Sequence, residues 1–191
     1  MNKEIEAKVR VASLDHVAGR LTAVGARYVA SHDQHDVFFA DREMKLIAAG
    51  CGLRIRRQKD DNGERALLTF KGPREKSRYK VRPEAEVAVT DADTMRTILD
   101  ALGYRPFVEV VKRRQLWRLD DCEVCLDDVA ALGSFVEVEG PNEQAVAAVL
   151  EKLGLADLEP ITRGYASMVR QELIRTGKAK SQPVVDDEKG V

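Results

Sequence analysis

Glu4-Ile5-Glu6-Ala7-Lys8-Val9-Arg10-Val11 is the stretch on which the reading of this chain turns. Alternate residues of a strand point to opposite faces, so Glu4, Glu6, Lys8 and Arg10 share one side while Ile5, Ala7, Val9 and Val11 share the other. Ser13 follows as a candidate N-cap, then Leu14, Val17, Leu21 and Val24 at helical spacing, then Gly25 as a stop. The same strand-then-helix unit returns twice. Glu84-Ala85-Glu86-Val87-Ala88-Val89 precedes Asp91 as cap, a helix face of Met95, Ile98, Leu99 and Leu102, and Gly103. Glu137-Val138-Glu139 precedes Pro141 in a first-turn position, then Val146, Val149, Leu150 and Leu153, and Gly154.

Further strands are predicted over 28–39, 52–59, 65–72, 78–89, 107–119 and 122–129, which makes about eight in all. Asp61-Asn62-Gly63 and Asp120-Asp121 are turn sequences that join antiparallel neighbours. The ionic face recurs from strand to strand. Arg78, Lys80, Arg82, Glu84 and Glu86 stand opposite Tyr79, Val81, Ala85, Val87 and Val89; Arg54 and Arg56 share a face, as do Thr69 and Lys71, Lys112, Arg114 and Arg118, and Glu137 and Glu139. A solvated face explains this pattern for any single strand. The helices, however, need the apolar side of the sheet, so a sheet that closes with helices outside turns its charges inward. The expected fold is α+β: a closed or nearly closed eight-stranded antiparallel β-barrel with outer helices over residues 1–176, ending in an amphipathic helix over about 163–175. Residues 177–191 have little to bury and are expected to form a disordered polar tail.

An interior lined with both signs of charge is costly unless it holds something. The bases ask for a polyanion, and the carboxylates ask for a divalent cation between them and it. A triphosphate with magnesium or manganese satisfies both. Other partners fit less well. With 31 Lys+Arg against 32 Asp+Glu the net charge is -1, so no cationic field marks the chain for nucleic acid. No apolar run approaches the roughly 20 residues of a membrane span, no signal-peptide core opens the chain, and three cysteines make no disulfide framework; a cytoplasmic protein without a membrane partner is expected. Cys122 and Cys125 have zinc-like spacing, but a second pair is missing and a strand would set them on opposite faces, so both read as reduced strand residues. His32 and His35 read as solvated or hydrogen-bonded imidazoles, and Trp117 as core. No GxxxxGK[ST] or GxGxxG string occurs, so phosphate binding would fall to side chains.

Glu4-Ile5-Glu6-Ala7-Lys8 resembles the ExExK motif that opens the CYTH, or triphosphate tunnel metalloenzyme, superfamily. Other segments match in the family's order across residues 2–170: Gln34-His35-Asp36-Val37-Phe38-Phe39, Leu53-Arg54-Ile55-Arg56, Arg82-Pro83-Glu84-Ala85-Glu86, Lys112-Arg113-Arg114 and Leu126-Asp127. Leu68-Thr69-Phe70-Lys71-Gly72-Pro73 and Leu132-Gly133-Ser134-Phe135-Val136-Glu137 resemble the class IV, or CyaB-type, adenylyl cyclases. The resemblance implies a tunnel in which Glu4, Glu6, Glu137 and Glu139 serve as metal ligands for magnesium or manganese, with Glu84, Glu86 and Asp127 completing the acidic side. It implies that Arg54, Arg56, Lys71, Arg82, Lys112 and Arg114 hold phosphate oxygens, that Lys8 sits beside the reacting phosphate, and that Lys8 and Arg114 are the catalytic pair. It also implies a homodimer. The implied activity is conversion of ATP to cyclic AMP and pyrophosphate; hydrolysis of inorganic, thiamine or nucleoside triphosphate is the alternative on the same residues, and a non-catalytic polyphosphate- or nucleotide-binding module stands behind both. Arg57 extends the Arg54, Arg56 pair beyond the family pattern, and Tyr165-Ala166-Ser167-Met168-Val169 matches the family's closing Tyr-x-x-Leu-Leu only loosely.

Overall fold

The computed structural model describes residues 2–75 and 77–179, with side chains described from Ile5 onward. In chain order the elements are β1 (Asn2–Arg10), α1 (Leu14–Ala23), β2 (Arg27–Asp41), α2 (Lys45–Ala48), β3 (Gly52–Asp60), β4 (Gly63–Lys71) and β5 (Lys80–Val89). They continue with α3 (Ala92–Ala101), β6 (Tyr104–Leu119), β7 (Cys122–Val129), β8 (Gly133–Gly140), α4 (Glu143–Lys152) and α5 (Tyr165–Arg175). Every strand pairing is antiparallel, in the order β1-β5-β4-β3-β2-β6-β7-β8, and β8 returns to β1 to close the barrel. Closure leaves no unpaired sheet edge.

The helices start and stop where their caps put them. The Ser13 hydroxyl accepts from the His16 amide, Asp91 from Asp93 and Asn142 from Ala145, each satisfying a first-turn N–H. Pro141 therefore precedes the cap of α4 and is not in its first turn, because the Asn142 side chain takes the capping position. Gly154 ends α4 at φ +62, where a Cβ would lie 2.1 Å from the Arg20 guanidinium that donates to Leu153 O. Only glycine fits both the left-handed backbone and that contact.

Outward-facing strand residues meet the helices. Ala7, Val9, Val124, Leu126, Val136 and Val138 bury against Val17 and Leu21 of α1 and Val146, Val149 and Leu150 of α4, with Trp117 and Cys122 in the same core. Phe39 and Ile55 pack against Ala92 and Leu99 of α3. A third cluster lies on the inward parity: Tyr165, Met168 and Val169 of α5 pack on Val108, Val110, Val129 and Phe135, so α5 covers part of the interior from inside. Some boundaries differ from expectation. β2 and β6 are longer than predicted, since their long pairing runs from Arg27↔Arg118 to Asp41↔Tyr104. Arg78 lies before β5, its guanidinium 5.5 Å from the Tyr79 ring centroid. The short α2 had no periodic signal; the Asp41 carboxylate holds it by accepting from the amides of Glu43, Lys45 and Leu46. Of the expected tail, residues 180–191 lie outside the described residues. Among the described residues no helix is long and apolar enough to cross a membrane.

Leu126 is fully buried between barrel and outer helices. Leu126→Ala should cost about 2–5 kcal/mol, transfer and cavity terms together, read as a lower urea midpoint with unchanged slope.

A candidate active site inside the barrel

The inward parity brings the charged strand residues around a cavity of about 1150 Å³. Its described lining holds more lysines and arginines than carboxylates, so the field inside favours an anion. Three linked groups of charge make up the wall.

The first group centres on Asp36 of β2. Its carboxylate accepts from Arg54 Nη1 at 3.2 Å, Arg56 Nε at 2.6 Å and Arg56 Nη2 at 2.8 Å. The register explains the contact, because Asp36 pairs with Arg56 across β2 and β3. Burial opposes ionisation of Asp36, but the two guanidinium groups outweigh it and hold the carboxyl well below its usual range. Arg54 also donates to Thr69 Oγ1 at 3.0 Å, and the Thr69 hydroxyl donates to Glu86 at 2.7 Å. Lys71 donates to Glu84 beside them.

The second group runs through β6, β7 and β8. Asp127 accepts from Lys112 Nζ at 3.0 Å, Arg114 Nε at 2.7 Å and the Tyr165 hydroxyl at 2.9 Å. Arg114 reaches on to Glu137. Burial disfavours the Glu137 anion, yet Lys8, Arg114 and Lys112 overcome it and keep the carboxyl well below its normal value. Desolvation pushes the Lys112 amine down to about 8.

The third group joins β1 to β5. Lys80 Nζ donates to Glu6 at 2.6 Å, and Lys8 Nζ lies 3.6 Å from Glu6 and 3.2 Å from Glu137. Lys8 is almost fully buried, donates to the Arg163 carbonyl at 3.0 Å, and stands 4.2 Å from the centroid of the Tyr165 ring. Burial lowers the Lys80 amine to about 8.

Glu6, Lys8, Arg54, Arg56, Lys71 and Arg82 thus line the cavity, and so do Glu84, Glu86, Arg114, Glu137 and Glu139. Lys112 and Asp127 do not; they face inward but lie beneath Tyr165, whose hydroxyl donates to Asp127 and whose ring centroid is 4.7 Å from Lys112 Nζ, and Asp127 fixes Arg114. The Glu4 side chain lies outside the described residues. Arg57 faces outward and pairs with Asp93 at 2.5 Å. Arg118 sits at an exposed end and pairs with Glu123 at 2.9 Å. His32 is buried against Gln58 at 3.2 Å, its pKa lowered by that burial, and His35 is exposed against Glu109 at 2.9 Å. Cys122 faces the outer core while Cys125 faces inward, its thiol pKa pushed well up by burial, so no shared metal joins them.

Asp36, Lys80, Tyr165 and Arg163 were not among the expected site residues. Alternation placed Lys80 on the ionic face, Asp36 lies within a segment of the family resemblance, and Tyr165 opens the loosely matched closing motif; it reaches the site because α5 folds back.

The chain belongs to the CYTH family, whose domain model matches residues 2–165. It is 32% identical over 136 residues to the Methanocaldococcus jannaschii protein MJ0240, covering 71% of this chain and 75% of that one. It is 28% identical over 180 residues to adenylate cyclase CyaB of Aeromonas hydrophila, covering 89% and 90%. Among solved structures it shares the fold of HpAC1 from Hippeastrum, for which a dominant triphosphatase activity is reported, with a TM-score of 0.66, 20% identity and coverage of 93% and 97%.

Asp36→Asn leaves Arg56 without its carboxylate partner and Arg54 with only Glu86 at 3.4 Å, and should cost about 3–5 kcal/mol at pH 7. The Asp36 contribution is full above the ordinary carboxyl value of 3.8 and declines below it toward the depressed folded value. Urea titrations should therefore show the gap between wild type and variant narrowing as pH falls below about 4.

Proposed function

We propose that this chain is a metal-dependent triphosphate-processing enzyme, with conversion of ATP to cyclic AMP and pyrophosphate as its leading activity. The observation that carries the reading is the set of cations, buried Lys8, Arg54 and Arg56 and half-buried Arg114, turned into one cavity beside the carboxylates of Glu6 and Glu137. Cations alone would suit any anion. The carboxylates beside them suit an anion that arrives with a divalent ion.

The residues fit magnesium or manganese. Glu6, Glu137 and Glu139 offer hard oxygens, and Glu6 Oε1 is buried with no hydrogen-bond donor. When bound, the ion would neutralise phosphate charge and align the oxygens to be displaced.

The protein's own part is to bind, orient and neutralise. Arg54, Arg56, Lys71 and Arg82 line the cavity, and in this reading they grip the phosphate chain by charge-assisted hydrogen bonds. In the cyclase reaction the ribose 3′-oxygen attacks the α-phosphorus, and negative charge grows on the oxygen that leaves with pyrophosphate. Lys8 and Arg114, already fixed by Glu137, Asp127 and Tyr165, can meet that charge without reorganising, which is the arrangement that lowers a barrier most. The lining carboxylates are the groups able to take the 3′-hydroxyl proton.

Hydrolysis of a triphosphate is the second reading. It uses the same grip, with water attacking the terminal phosphorus, and the activity reported for HpAC1 on this fold favours it.

Incubation with ATP or tripolyphosphate and magnesium or manganese, followed by chromatography, separates the two. Cyclic AMP with pyrophosphate is the expected product; orthophosphate with ADP or pyrophosphate would establish the hydrolase, and absence of turnover of both substrates overturns the cyclase and leaves thiamine triphosphate hydrolysis or a binding role. Lys8→Met, Glu6→Gln and Glu137→Gln should each reduce turnover by about 10²–10³ with the far-ultraviolet circular dichroism unchanged. Chelation of the divalent ion should abolish it.

A further inference from the structure

The Glu6 carboxylate sits between two ammonium groups. Glu6 and Lys80 are direct partners across β1 and β5, and Lys80 Nζ donates to Glu6 Oε2 at 2.6 Å. On the other side Lys8 Nζ stands 3.6 Å from Glu6 Oε1, a buried oxygen that accepts no hydrogen bond from the described residues. All three side chains are almost fully buried. A divalent ion on this carboxylate would face both ammonium charges at close range, where little water screens them. One of the two lysines has to give way.

Their contacts decide which. Lys8 is pinned elsewhere as well, by Glu137 at 3.2 Å, by the Arg163 carbonyl at 3.0 Å and by the Tyr165 ring, whose centroid is 4.2 Å away. Lys80 has no such anchors: among the described residues Glu6 is its one hydrogen-bond acceptor. Around it stand further cations, Lys8, Lys71 and Arg82, which disfavour its charge while Glu6 favours it. Parted from Glu6, a buried ammonium in that company needs another anion. Lys80 lines the cavity together with Lys71 and Arg82, and Arg82 lies two residues on along the same face of β5. A phosphate chain held by Lys71 and Arg82 would bring its oxygens to the wall that carries Lys80, whose flexible four-carbon stem lets the ammonium change partners.

We propose that Lys80 is an exchangeable counter-ion of the candidate metal ligand Glu6: it holds Glu6 until a triphosphate enters, then passes to a phosphate oxygen and releases Glu6 to the divalent ion. The proposal rests on the triphosphate reading above and names how the two ligands of that site become coupled. Metal alone has to displace Lys80 from Glu6, and a bare triphosphate meets a lysine that is already neutralised. Bound together, each removes the partner that the other would have to displace. No covalent bond forms or breaks; only ion pairs exchange.

The test is isothermal titration calorimetry at neutral pH with two probes used separately, manganese chloride alone and tripolyphosphate in the presence of a chelator, on wild type, Lys80→Met and Lys80→Gln. Lys80→Met removes the charge and keeps most of the length; Lys80→Gln keeps a donor for Glu6 without the charge, so one variant reads the exchange if the other misfolds. Each should bind manganese about tenfold tighter than wild type and metal-free tripolyphosphate about tenfold more weakly. A residue that only supports the fold would weaken both, and one that only grips phosphate would leave manganese affinity where it was. Manganese affinity that is unchanged or reduced overturns the exchange, as does undiminished affinity for tripolyphosphate; the triphosphate reading survives either result when wild type binds tripolyphosphate with manganese. Failure of wild type to bind tripolyphosphate with manganese overturns both.

Discussion

Charge compensation inside a closed barrel is the constraint from which the rest of the structure follows. Once the outer helices claim the apolar side of the sheet, Glu6, Lys8, Asp36, Arg54, Arg56 and Glu137 have nowhere to go but inward. Isolated, each would carry a desolvation cost of several kcal/mol; joined as Asp36 with Arg54 and Arg56, and as Lys80, Glu6, Lys8, Glu137 and Arg114 in sequence, they share it. Such networks are weak stabilisers compared with apolar packing of equal volume. Their retention in a closed barrel is consistent with the triphosphate reading proposed above.

The same network ties the last described helix to the first strand. The Ile161 amide donates to the Lys8 carbonyl at 2.7 Å, Lys8 Nζ donates to the Arg163 carbonyl, and Tyr165 sets its ring between Lys8 and Lys112 while its hydroxyl meets Asp127. Lys8 is thus held in position by backbone, ring and carboxylate together. Preorganisation of this kind fixes a cation before substrate arrives, which is where a phosphoryl-transfer site gains most.

Much of this was legible in the sequence, because period-two alternation is a local property. It is enough to put Glu6, Lys8, Arg54, Arg56, Arg114 and Glu137 on ionic faces, which the outer helices turn inward. The first two strand-helix units show their caps and all three their glycine stops, whereas the cap of the third is Asn142 and not the Pro141 start expected. What escaped depends on distant parts of the chain. Tyr165 reaches the cavity because α5 folds back onto Val108, Val110 and Phe135, and no periodicity in residues 163–175 says so. Phe107 crosses to the inner face through a bulge, which alternation by construction cannot foresee. Lys112 and Asp127 have the right parity, but Tyr165 of α5 covers them, which alternation along β6 and β7 cannot foresee.

The measurement that bears most directly on a charge-lined interior built for triphosphate is a crystal structure grown with an ATP analogue and manganese. The account predicts phosphate density inside the barrel against Lys8, Arg54, Arg56 and Arg114, with anomalous scattering from manganese beside Glu6 and Glu137. An analogue bound only on the outer surface, or an interior without phosphate density at saturating ligand, would contradict it.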